Sequence, residues 1–61
     1  MPEPADREVY FEHVTIGHSA KVTAIDSLTV IEVSVVGPAG ATKADLERLA
    51  LQKLKARLTR E

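Results

Sequence analysis

The sequence predicts an α+β fold: a three-stranded antiparallel β-meander with one C-terminal α-helix packed on one face, in the order β-β-β-α. Three short runs rich in β-branched and other apolar residues come first. The connections between them are too short for parallel crossovers. A long stretch of helix-forming residues without glycine or proline closes the chain. Sixty-one residues allow one domain, which we place at residues 8–61 after a flexible tail at residues 1–7.

The first predicted strand runs from Val9 to Ile16 and leads into a two-residue turn at Gly17-His18. The alternation of apolar residues breaks in the middle of this strand. We therefore expect a β-bulge near its centre, which would place Phe11, Val14 and Ile16 on the same face of the sheet. That face would turn toward the core.

The second and third predicted strands, Ala20–Ile25 and Ile31–Val36, alternate more regularly. The turn between them opens with Asp26-Ser27, whose side chains can bond to nearby backbone amides. Alternation places every second side chain of each strand toward the helix. The remaining side chains, among them Glu32, are expected to face solvent.

The predicted helix begins at Thr42 and extends to about Thr59. Thr42 and Asp45 resemble a capping box, with aspartate in place of the preferred glutamate. The helix residues that repeat every four positions form an apolar stripe suited to covering the sheet. Together with the strands, this stripe predicts a core of Phe11, Ile16, Val22, Ala24, Ile31, Val33, Val35, Leu46, Ala50, Leu54 and Leu58.

The composition gives little support to an enzyme, a metal protein or a membrane protein. Without cysteine there is no disulfide or thiolate zinc site, and two histidines are few for a metal site. The loop at residues 37–40 lacks the phosphate-binding motifs and is expected to be a connector, with anion binding at the helix start as the alternative. We expect no catalytic residues, cofactor or metal. Without an apolar run of membrane-spanning length, and with an acidic, polar start, we expect a cytoplasmic protein.

One flank of the helix is the predicted interaction surface. Six acidic residues against two basic ones lie in residues 1–40, whereas six basic residues against three acidic ones lie in residues 41–61. Lys53, Arg57 and Arg60 share one side of the helix by their spacing, and Leu49 lies on the same flank. An ordinary solvated surface is the alternative for these charges.

Most of the chain, roughly residues 8–58, resembles a family of small alphaproteobacterial proteins of unknown function. The resemblance is carried by Lys21-Val-Thr-Ala-Ile-Asp26 and, above all, by Glu32-Val-Ser-Val-Val-Gly-Pro38-Ala39 before the helix. The family usually has D-P-x-T-G at its second turn, where this chain has Asp26-Ser-Leu-Thr-Val30. The resemblance implies a bacterial cytoplasmic setting and implies no activity.

A second, weaker resemblance is to nucleic-acid-binding domains that combine three strands with a C-terminal helix, such as the double-stranded-RNA-binding domain. The preceding helix of that domain is missing here, and Lys43-Ala44-Asp45 stands in place of its lysine run. The sequence therefore predicts, first, a non-enzymatic protein-interaction module that self-associates or binds another protein. The alternative is a nucleic-acid-binding domain that uses the basic helix flank.

Overall fold

The computed structural model describes residues 8–60, except for the side chain of Arg60, and it confirms the predicted order of elements. The strands are β1 (Val9–Ile16), β2 (Ser19–Asp26) and β3 (Glu32–Pro38), and the helix is α1 (Lys43–Arg60). The sheet has the order β1-β2-β3, with both pairs antiparallel. The tail predicted at residues 1–7 lies outside the described residues.

The hairpin between β1 and β2 is regular, and the predicted bulge is wrong. Each residue from Val9 to Ile16 faces a single partner on β2, ending with Ile16 opposite Ser19. The two-residue turn is confirmed, and Gly17 has a φ of 59°, as the first central position of a type II′ turn requires. Without a bulge, strict alternation puts Ile16 on the face away from the helix, where it is 74% exposed.

The turn between β2 and β3 is organised by a buried aspartate. Asp26 is 0% exposed, and its Oδ2 accepts hydrogen bonds from the backbone N–H of Thr29 at 2.9 Å and from the Thr29 hydroxyl at 2.7 Å. The N–H of Val30 donates to the carbonyl of Asp26 at 2.8 Å. Val30 has a φ of 63°, a left-handed conformation that is uncommon for a β-branched residue.

Helix α1 begins as predicted and packs across β2 and β3. The Thr42 hydroxyl accepts a hydrogen bond from the N–H of Asp45 at 3.2 Å, as an N-cap residue does. The buried apolar core consists of residues from β2, β3 and α1. Its members are Val22, Ala24, Val33, Leu46, Ala50 and Leu54, with Phe11, Ile31, Val35 and Leu58 packed partly buried around them.

Because one helix covers one face, the other face of the sheet has no covering layer in the part of the chain that the structure describes. Strand alternation places the even-numbered residues of β1 and β3 and the odd-numbered residues of β2 on this uncovered face. Thr23 lies at its centre and bonds to Ser34 through their hydroxyl oxygens, 2.9 Å apart. Several large apolar side chains lie around this pair.

Candidate interaction surfaces

The predicted helix flank lies beside β3. Leu49, 52% exposed, and Lys53 lie along a shallow, open groove of about 730 Å³ between the helix and the strand. Arg57 follows one turn later and is exposed, and the side chain of Arg60 lies outside the described part. The residues that line the groove are Ser34, Val35, Val36, Leu49, Gln52 and Lys53.

Lys53 closes part of the outer edge of β3, a role that the sequence did not reveal. Its Nζ donates a hydrogen bond to the carbonyl oxygen of Ser34 at 2.8 Å. The Asp26 N–H donates to the carbonyl of Ile31, so alternation along the ladder turns the N–H and C=O of Ser34 away from β2. The ammonium group therefore occupies a position that another strand would need.

Pro38, the last residue of β3, protects the same edge a second time. Ala39 donates its N–H to the carbonyl of His18, which fixes the backbone of Pro38 as turned outward by the same alternation. Proline has no N–H to offer there. Lysine and proline are both common means of blocking pairing at an edge strand, so β3 is poorly suited to accept a further strand.

The outer edge of β1 has neither protection. Val9, Phe11, His13 and Thr15 turn their N–H and C=O groups outward, because the intervening residues form the ladder with β2. The strand is eight residues long and regular, and it contains no glycine, proline or lysine. Within residues 8–60, no strand pairs with this edge.

Three large apolar side chains of β1 are exposed on the uncovered face. Tyr10 is 54% exposed, Val14 47% and Ile16 74%. The Tyr10 hydroxyl donates to the Glu8 carboxylate at 2.7 Å. This hydrogen bond and the negative charge of Glu8 raise the pKa of the Tyr10 phenol. The three side chains form an apolar row along the unprotected strand, interrupted by Glu12.

The histidines take different positions from each other. His13 lies on the helix side of β1, and its Nε2 is 2.7 Å from Oε2 of Glu47, which ties the strand to the helix. His18 lies in the first turn. Among residues 8–60 there is no cluster of three or more metal-ligating side chains. The one helix described is too polar to cross a bilayer.

Comparison with known proteins assigns the chain to a family. Residues 6–61 match the model of a family described as Domain of unknown function (DUF6898). The chain belongs to this family. Neither the curated proteins nor the solved structures give a match. The predicted membership of a family of unknown function is thereby confirmed, and the fold described above provides a structural view of DUF6898.

Proposed function

We propose that this chain is a small, non-enzymatic protein-interaction module that associates with itself. One observation carries the proposal: among the described residues, seven large apolar side chains are exposed, whereas six apolar residues form the buried core. Single exposed apolar residues are ordinary, but a group on one surface marks an interaction site, and four of these seven lie on the uncovered face of the sheet. The seven are Tyr10, Val14, Ile16, Leu28, Val30, Val36 and Leu49.

Small size supports the same proposal. A domain of about 60 residues buries only about 60% of the surface that its unfolded chain exposes, so its stability is marginal. Association that covers further apolar surface stabilises such a domain by mass action. The chain contains no cysteine. This composition supports a reducing compartment, such as the cytoplasm, as the place where the chain associates.

The test is the mass of the purified chain in solution, measured by sedimentation velocity and light scattering at several concentrations. We expect a dimer or larger oligomer at tens of micromolar. A monomer at that concentration would contradict self-association. If the helix flank is the contact, Leu49→Glu shifts the mass toward the monomer, because a carboxylate would then be buried without a partner.

A second candidate function is nucleic-acid binding through the helix flank. It is supported by the exposed positions of Lys53 and Arg57 on one side of α1, since binding to phosphates needs clustered positive charge. The expected result is affinity for duplex RNA or DNA that falls steeply as salt is raised. Absence of binding at low salt would end this alternative, and replacement of both residues by glutamine would show whether they carry any affinity found.

A further inference from the structure

We propose that the outer edge of β1 pairs with β1 of a second copy, antiparallel, so that two sheets join into one continuous six-stranded sheet. This inference rests on the self-association proposed above and specifies the surface. The contact differs from the helix flank that the sequence suggested. It is made chiefly by backbone groups, and the two copies are related by a two-fold axis that passes through the joint.

The first argument is the contrast between the two edges of the sheet. The edge of β3 is partly blocked by the ammonium of Lys53 and by Pro38. The edge of β1 presents four outward N–H groups and four outward C=O groups, alternating at the spacing of a β-strand. A row of this kind is matched by the backbone of another extended strand.

The second argument is that β1 of a second copy can pair with β1 in a register that brings no like charges together. Side chains alternate between the two faces of a strand. If both helices lie on the same side of the joined sheet, each odd-numbered residue of β1 must therefore face an odd-numbered residue of β1 in the second copy. One central register puts Glu12 directly opposite its own copy, and like charges in that position are destabilising. The neighbouring register puts His13 opposite its copy and avoids this repulsion.

This second register also accounts for the exposed row on β1. It places Tyr10 opposite Ile16 of the second copy, and the same pair forms again across the two-fold axis. Both positions are on the uncovered face and are not hydrogen-bonded to each other, so their side chains lie close together. Pairs of an aromatic and a β-branched residue stabilise neighbouring strands. The exposed Ile16 would thus be covered by Tyr10 of the second copy.

The third argument is that space is available beside β1. Helix α1 packs across β2 and β3, and Glu47 reaches β1 through its contact with His13. An incoming strand therefore approaches the edge in the plane of the sheet without meeting the helix. The helix of the second copy lies over that copy's own β2 and β3, which are separated from the joint by its β1.

The test compares two proline substitutions, one at each edge. Thr15→Pro removes an outward N–H from β1, and Val36→Pro removes an outward N–H from β3, so neither takes a hydrogen bond from the ladder within one copy. In both, the preceding residue is already extended, as proline requires. We expect Thr15→Pro to weaken association at least tenfold and Val36→Pro to leave it unchanged. Unchanged association in a folded Thr15→Pro chain would overturn the proposal.

A second pair of variants keeps the proposal testable if a proline chain fails to fold. The chain has no cysteine, so one introduced cysteine forms a disulfide only between copies. His13→Cys lies on the proposed two-fold axis, where the Cα atoms of a hydrogen-bonded pair are about 5.5 Å apart, a suitable distance for a disulfide. We expect rapid cross-linking of His13→Cys under mild oxidation and little cross-linking of Val36→Cys. Equal cross-linking of both would overturn the proposal.

The outcomes also separate this inference from the proposed function. If the unmodified chain associates but neither Thr15→Pro nor His13→Cys behaves as expected, the module self-associates through another surface, and only the β1 pairing is wrong. A shift to monomer caused by Leu49→Glu, with Thr15→Pro still associated, would place the contact on the helix flank. If the unmodified chain is monomeric at tens of micromolar, both proposals are wrong.

Discussion

The left-handed conformation of Val30 predicts that Val30→Gly stabilises the protein. The chain contains a matched pair of positions for this test, because Val30 has a φ of 63° and Gly17 has a φ of 59°. Both residues have a positive φ of nearly the same value, and the residue types are opposite. The exchange Gly17→Val therefore serves as the reverse experiment. At Gly17 an added Cβ would have no atom within 4 Å, so that its effect reports the backbone conformation.

The size of the effect follows from three contributions. The left-handed conformation costs an L-residue about 1–2 kcal/mol, and we take the upper value for a β-branched side chain. Val30 is 71% exposed, so removing its side chain loses only about 0.5 kcal/mol of apolar burial. Glycine adds conformational entropy to the unfolded chain, which costs about 0.5–1 kcal/mol. We expect Val30→Gly to raise the free energy of unfolding by about 0.5–1 kcal/mol, and Gly17→Val to lower it by about 1 kcal/mol.

The assay is urea denaturation followed by circular dichroism, at one fixed protein concentration because association alters apparent stability. The slope of the transition should be unchanged and its midpoint should move. In a domain of this size, 1 kcal/mol corresponds to a shift of about 4–8 °C in Tm. A lower midpoint for Val30→Gly, or an unchanged midpoint for Gly17→Val, would refute the reasoning from backbone strain.

Three further predictions concern the core and the tyrosine. Leu54 is 1% exposed, so Leu54→Ala should cost about 2–5 kcal/mol, a large share of the stability of a small domain, and thermal melting should show partial unfolding near room temperature. A Cβ at Gly37 would lie 2.8 Å from Cδ2 of Leu46; Gly37→Ala should cost about 1–3 kcal/mol, and in urea denaturation its cost should shrink when Leu46→Ala is added. Glu8→Gln should lower the pKa of Tyr10, the only tyrosine, because it weakens the hydrogen bond that raises this pKa and removes the negative charge of Glu8. The ultraviolet absorbance of the phenolate would then appear at lower pH, and an unchanged titration would argue against this hydrogen bond in solution.

The sequence predicted the order and type of the elements because each is supported by local residues. The first turn follows from Gly17, and the helix start follows from Thr42, whose hydroxyl accepts the expected hydrogen bond. The predicted core was correct on β2, β3 and the helix, where apolar residues repeat at regular spacing. Ile16 was placed wrongly, because the prediction assumed a bulge in β1, and without the bulge strict alternation turns Ile16 away from the helix.

The contacts around the candidate surfaces could not be predicted from the sequence, since they join distant parts of the chain. The hydrogen bond from Lys53 to the carbonyl of Ser34 joins residues 19 positions apart, and the pair of His13 and Glu47 joins residues 34 positions apart. No local pattern marks either contact. The left-handed Val30 was also missed, because a positive φ is uncommon for a β-branched residue.

The Lys53 ammonium on the Ser34 carbonyl bears on how far an assembly of this chain can grow. A sheet with two open edges can add copies without limit and form a filament. Here one edge is partly blocked, so pairing at β1 leaves a partly blocked β3 edge at each end of the joined sheet, and addition beyond two copies is disfavoured. The lysine thus acts against open-ended strand pairing in a chain that leaves its β1 edge exposed.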